Sequence, residues 1–360
     1  MRDEFRRIFS PHHFRLIAHH FFSASLRSLR FSRLKRLPWV TCTRKKNTAM
    51  IVSLTANTTL DQSLFISRFA PNRTIRASRS LFSLGGKPTD ASWILGEIGV
   101  PSLALGCAAG ATARKVEALL HRKGVSYDFI EVDGETRINT VIVVEEENWQ
   151  TTITTNTLEV QPHHRAALIA RYAAALESAS VVVLGGTLPR GLAPDFYVET
   201  ISMAKAKGVP VAFDAAEPNL SAGLSAQPDY IKPNRDELSD LLGRAIDTVE
   251  QAYAAGREVL DRWGVSPIIT LGGDGGLAVL PDRAYRIPPL PIEAVSPSGA
   301  GDGVLAGITH ALANRLPIED GLRLGFACAA AVCLMPGTAD CRRADVERLL
   351  PLVELHPYAP

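Results

Sequence analysis

Short runs of β-branched and other apolar residues recur along the chain: MIVSLT from Met50, PSLALG from Pro101, SVVVLGG from Ser180, VPVAFDA from Val209, DYIKPN from Asp229 and SPIITLGG from Ser266. Between them lie stretches whose apolar positions repeat three and four apart: Asp90–Ile98, Ala113–Lys123, Pro162–Glu177, Pro194–Lys207 and Thr248–Trp263. Near-continuous apolar strands separated by amphipathic helices predict a doubly wound α/β fold, with a mainly parallel sheet flanked by helices on both faces. LGFACAAAVCLMP, which stops at Pro336, predicts a buried helix. Two segments follow a different rhythm. LDQSLFISRFAPNRTIRASRSLFS and TRINTVIVVEEENWQTTITTN alternate polar with apolar and carry turn signals at Pro71-Asn72 and Glu147-Asn148. Alternation means strands with one wet face. These segments, about 60–84 and 136–156, predict a small β-sheet inserted as a lid.

Charge changes the picture at one end only. The net charge of +2 divides into +10 for residues 1–49, with 12 basic and 2 acidic side chains, and −8 for the remaining 311 residues. An acidic body argues against a nucleic-acid partner. The basic arm FRRIFSPHHFRLIAHHFFSASLRSLRFSRLKR has the Arg- and Ser-rich, acid-poor composition of a transit peptide. It also reads as a disordered arm or an over-extended start, since Met50 opens the first strand; the domain is therefore expected to span 50–360. No apolar run reaches the roughly 18 residues of a membrane span, so no membrane partner is expected, and the location is read as cytoplasmic. Five cysteines (42, 107, 328, 333 and 341) form no C-x-x-C and lie mostly among small apolar neighbours. They predict buried free thiols.

Candidate chemistry sits where strands end. VSPSGAGDGVLAG places Asp302 directly after Gly299, Ala300 and Gly301 and before an apolar helical run. Small residues expose backbone N–H groups, and a helix start adds its positive dipole end, so the turn suits an anion. The aspartate beside it is either a helix cap or a base acting next to that anion. SLGGKPTDASW puts Gly85, Gly86 and Lys87 before a helix opened by Pro88, with Asp90 in its first turn. IKPNRDEL spaces Asn234 and Glu237 three apart, as a capping box or as two groups facing one site. TLGGDGG reads most simply as a hairpin turn.

In order, these pieces resemble the PfkB, or ribokinase-like, sugar kinases, most closely the branch of 1-phosphofructokinases, tagatose-6-phosphate kinases and the minor 6-phosphofructokinase. The resemblance covers about Met50 to Leu350 and rests on LTANTTLD, GGK, TRIN, GGTLPRGL, KPNRDEL, TLGGDGG, SGAGDGVLAG and PGTAD. It implies ATP as co-substrate, Mg²⁺ as cofactor and a small sugar or sugar phosphate as acceptor. Asp302 matches the catalytic base, and Gly299, Ala300 and Gly301 match the loop holding the transferring phosphoryl group. Lys232, Asn234, Thr270, Gly272, Gly273 and Gly275 match nucleotide-contacting positions. Asn234 with Glu237 matches the element that organises Mg²⁺ through water. Asp61, Gly85, Gly86, Lys87, Asp90, Arg137 and Asn139 fall on substrate-reading positions, with Arg137 and Lys87 as counter-charges for a sugar phosphate. The lid implies a homodimer surface.

The chain departs from the family pattern mainly in that half. Pro88 and Asp90 stand for Gly and Asn of G-G-K-G-x-N, while Pro297 and Gly303 stand for Thr and Ser around the catalytic loop. The resulting expectation is an ATP-dependent kinase of a ketohexose phosphate. Kinases of another sugar, polyol or nucleoside, and a non-catalytic sugar-phosphate-binding protein, are the alternatives. A Rossmann oxidoreductase would need G-x-G-x-x-G after the first strand, which SLTANTTLD lacks.

Overall fold

A computed structural model describes residues 49–147 and 149–359. The expectations for the basic arm, for Cys42 and for Asn148 in the second lid turn fall outside the described residues.

Met50–Thr55 lies inside a ten-stranded sheet, with Ser102–Ala108 on one side and Ala179–Gly185 on the other, both parallel to it. Ser126–Glu131 extends the sheet beyond Ser102–Ala108. On the other side follow Val211–Asp214, Tyr230–Ile231 and Ser266–Thr270, again parallel. Three antiparallel strands, Gly276–Val279, Ala284–Ile287 and His356–Pro357, finish that edge. The Gly-rich TLGGDGG turn, with a short 3₁₀ segment at Gly272–Asp274, is the hairpin that reverses direction there.

The apolar runs are continuous because both faces are covered. Ile51, Val181 and Val183 pack into one core, whereas Val52, Leu54, Val182 and Leu184 pack into the core on the opposite face. Full burial of such a side chain contributes about 1.5–3 kcal/mol. The covering helices include Lys87–Glu97, Gly110–Arg122, Pro162–Leu176, Asp195–Ala206 and Val249–Trp263. The first starts earlier than its periodicity suggests because Pro88 fits a first helical turn. The apolar LGFACAAAVC run lies within helix Ile318–Cys333, which packs backbone to backbone on helix Ala300–Asn314. A Cβ on Gly307 would fall 2.2 Å from Gly325 N and 2.4 Å from Gly321 O, and one on Gly303 would fall 2.5 Å from Ala329 N. Cys107, Cys328 and Cys341 are buried and Cys333 half-buried, all four as free thiols.

The alternating segments form a separate four-stranded sheet in the order Arg79–Gly85, Thr59–Ile66, Arg137–Val144, Trp149–Ile153. Its middle pair is parallel and its outer pairs antiparallel. No helix among the described residues is long and apolar enough to cross a membrane.

Candidate active site

Asp302 sits in the first turn of helix Ala300–Asn314, 7% exposed. The chain reaches that helix through Gly299 at φ 81°, and a Cβ there would meet Ala339 N at 2.3 Å, so the turn requires glycine. Burial, and then the negative charge of Asp214, push the Asp302 carboxyl up to about 7, against the pull of Lys232 and Lys87. Asp214 ends strand Val211–Asp214 and is almost fully buried. Lys87 Nζ donates to its Oδ1 at 2.7 Å, and Lys232 Nζ forms an ion pair with its Oδ2 at 3.0 Å. Burial works against the Asp214 charge, but Lys232 and Lys87 outweigh it and hold the carboxylate below its ordinary range. Lys87 also donates to Glu237 Oε1 at 2.5 Å. Burial opposes its charge too, and the Asp214 and Glu237 carboxylates overcome that, keeping Lys87 above the ordinary lysine range.

Asn234 caps helix Arg235–Leu242. Its Oδ1 accepts from Glu237 N at 2.8 Å, and Asn234 N donates to Glu237 Oε2 at 2.9 Å. Lys232-Pro233-Asn234 is joined to the next strand end by Thr270 N donating to Pro233 O at 3.0 Å. Lys87, Lys232, Asn234, Glu237, Thr270, Gly272, Gly273, Gly275 and Gly299 through Asp302 line one cleft of about 910 Å³. Leu290, Ile292 and Phe326 contribute apolar wall. A planar base against that wall, with its phosphates toward the lysines and the glycine turn, matches the cleft in size and polarity.

A second group gathers under the lid. Asp61, 5% exposed, faces Asn139 across the parallel lid strands and accepts from its Nδ2 at 2.9 Å. Burial raises the Asp61 carboxyl to about 6; hydrogen bonds from Thr338 and Asn139 and the charge of Arg137 oppose the rise. Gly85 lets this carboxyl lie over the backbone, since a Cβ there would meet Asp61 Oδ1 at 2.3 Å. Gly86, at φ 105°, turns the chain into helix Lys87–Glu97. Arg137 is tied at three points: Nε to Thr59 Oγ1 at 2.8 Å, Nη2 to Thr187 Oγ1 at 2.9 Å and Nη1 to Thr155 O at 3.3 Å. Asp90 is 2% exposed, with Asp302 and Asp61 as its charged neighbours. Burial and those two negative charges raise its carboxyl well above the ordinary range. Asn57 Oδ1, Asp90 Oδ1 and Asn139 Oδ1 are buried with no hydrogen-bond partner. Buried polar atoms are normally paired, so these three orphans suit a ligand rich in hydroxyls.

Most of the residues singled out in the sequence thus fall into one cleft or into the cluster at the lid, and Asp302 lines the cleft while acting as a charged neighbour of Asp90 in that cluster. Lys87, read from the sequence as a counter-charge for a sugar phosphate, is engaged by Asp214 and Glu237 on the cleft side. Asp214, Thr338 and Thr187 were not singled out. Asp214 carried one usable signal, a lone carboxylate at the end of the apolar run VAFD, where ligands meet a parallel sheet.

A doubly wound sheet with its lid, and an aspartate where a glycine turn starts a helix at a cleft that two lysines line, define a ribokinase-like phosphotransferase. Comparison with known proteins narrows the class. Residues 50–345 match the pfkB family of carbohydrate kinases, and the chain belongs to that family; it is an ATP-dependent kinase with an alcohol group as acceptor. It is 28% identical over 308 residues to a 1-phosphofructokinase of Bacillus subtilis, covering 85% of this chain and 99% of the relative. It is 30% identical over 305 residues to an ATP-dependent 6-phosphofructokinase isozyme 2 of Mycobacterium tuberculosis, covering 84% and 89%. Phosphofructokinase-2 from Escherichia coli, in complex with potassium, superposes with a TM-score of 0.77 at 26% identity over 84% of this chain and 98% of that one.

Proposed function

We propose that the protein phosphorylates a hydroxyl of a ketohexose phosphate, such as fructose 1-phosphate, tagatose 6-phosphate or fructose 6-phosphate, with Asp302 as general base. What supports this reading is that Asp302 lines the cleft and is at the same time a charged neighbour of Asp90 in the lid cluster. Asp302 accepts the proton of the acceptor hydroxyl as that oxygen attacks the terminal phosphoryl group of ATP, and the bond to ADP breaks. Backbone N–H groups of Gly299 and Gly301 face the charge that spreads over the phosphoryl oxygens, whereas that of Ala300, expected from the sequence to join them, donates to Pro297 O at 3.2 Å and braces the turn. Lys232, which lies close over Gly301, adds positive charge on the same side.

Mg²⁺ fits as an ion carried by the nucleotide. The donors near Asn234 and Glu237 are hard oxygens, and among the described residues no group of three His, Cys, Asp or Glu could hold a metal directly. An ion that keeps most of its water suits that arrangement. When bound, it would neutralise phosphate charge.

Arg137 is the phosphate reader in this scheme. A guanidinium held by two threonine hydroxyls is pre-oriented for a charge-assisted grip worth about 1.5–3 kcal/mol. Arg137→Ala is expected to lower kcat/KM on a sugar phosphate by roughly 10–150-fold and to affect an unphosphorylated sugar much less. Equal losses on both would make Arg137 a lid strut. ADP release across a panel of sugars and sugar phosphates tests the whole reading. Release with nucleosides or free polyols alone would move the substrate class, and binding without release would make the protein a sugar-phosphate receptor. Phe82, Trp149 and Ile153 on the lid keep 39–55% exposure, which supports pairing with a second copy; light scattering of the full chain measures it.

A further inference from the structure

We propose that Asp90 works in the acceptor pocket as a neutral carboxylic acid that donates a hydrogen bond to a substrate oxygen beside the hydroxyl being phosphorylated. The inference deepens the kinase reading and rests on it. Asp90 lies in the first turn of helix Lys87–Glu97, its N–H donating to Gly86 O at 2.9 Å, and only 2% of it is exposed. The groups around it decide its charge. From the lid strand Thr59–Ile66 comes Asp61, and from helix Ala300–Asn314 comes Asp302. Among the described residues no cation offsets them at Asp90. Lys87, on its own helix, is engaged by Asp214 and Glu237, and Lys232 lies beside Asp214. The charge of Arg137 acts on Asp61 and is not among those felt at Asp90.

An unpaired buried charge is among the costliest things a fold can hold, and a carboxylate in that position takes up a proton instead. Asp90 Oδ1 has no hydrogen-bond partner, so the protonated group keeps hydrogen-bonding capacity for a ligand. Asp61 is a different partner, since it already accepts from Asn139 and Thr338. The pocket therefore offers one acid that donates and two carboxylates that accept. That set reads a pair of neighbouring oxygens: one gives up its proton to Asp302, and the other accepts from Asp90.

Neutrality also limits repulsion of a phosphate-bearing acceptor. Once Asp90 ionises on the alkaline side, the donor is lost and a further negative charge appears. KM for a sugar phosphate is then expected to rise, more than for an uncharged sugar.

The experiment reads ionisation directly. Carboxyl ¹³C NMR of the full chain labelled at aspartate, with Asp90 assigned by comparison with Asp90→Asn or Asp90→Leu, follows each group through pH. Asp90 is expected to stay protonated through neutrality and to shift when fructose 6-phosphate binds. In kinetics, the alkaline rise of KM should vanish in Asp90→Asn, whose donor does not titrate. Asp90→Leu should lower kcat/KM by about tenfold at every pH. An Asp90 signal titrating in the ordinary carboxylate range, or an Asn variant as impaired as the Leu variant, would overturn the proposal. If the wild-type chain transfers no phosphoryl group to any sugar, the kinase reading fails on its own. The NMR titration then decides Asp90, and a signal unmoved by fructose 6-phosphate counts against it.

Discussion

Asp302 must lose a proton to act as a base, and its burial makes that loss harder. With its carboxyl raised to about 7, kcat/KM is expected to climb with pH through a midpoint near neutrality. Asp302→Asn should reduce turnover by roughly 10²–10⁴-fold; retention of more than about a tenth would rule it out as the base. Since Gly299 is the N-cap and no side chain caps this helix, that outcome would leave Asp302 only as a negative charge at the positive end of the helix dipole. The same raised value has a cost in stability. Between the ordinary carboxylate range and about 7, the folded protein binds a proton that the unfolded chain has released, so stability falls as pH rises through that window. Asp302→Asn removes this cost, and at pH 8 it should be more stable than wild type by roughly 2–4 kcal/mol, with little gain below about pH 4. Urea melts of both proteins at the two pH values measure it. Residue chemistry was legible where a motif is local: SGAGDG and KPNRDEL carry their geometry in adjacent positions. Asp214 was legible only as a lone carboxylate at a strand end, because the rest of its meaning lies in Lys87, 127 positions away.

At the level of elements, the pairing of helices Ala300–Asn314 and Ile318–Cys333 explains one departure from the family pattern. Gly303 stands where a serine is usual, and its missing side chain lets the Ala329 backbone come close. Gly303→Ser and Gly307→Ala should each destabilise by about 1–3 kcal/mol through overpacking, as read by denaturant midpoints. Unchanged midpoints would mean that the helices can slide apart. Buried parallel strands were readable because covering both faces forces continuous apolar runs. Ser126–Glu131 was not, because it closes one edge of the sheet with most of its side chains exposed. Tyr230–Ile231 is shorter than DYIKPN suggested; Pro233 cannot donate to a ladder.

At the scale of the whole molecule, the match to the pfkB family begins at residue 50, the first residue of strand Met50–Thr55. A chain beginning at Met50 is expected to keep the melting temperature and kinetics of the full-length protein, and loss of soluble expression would make the preceding residues structural. Met50–Thr55 sits between Ser102–Ala108 and Ala179–Gly185, so the first of the described strands is enclosed by strands made later. During synthesis it has no second neighbour until Gly185 has left the ribosome. At ordinary elongation rates that wait is on the order of ten seconds. Non-local parallel pairing is slow to form, and an apolar strand left half-paired is a target for chaperones and for misassociation between nascent chains. Arrested chains ending before Ala179 should therefore remain protease-sensitive throughout, and chains extended well past Gly185 should be the first to protect Met50–Thr55.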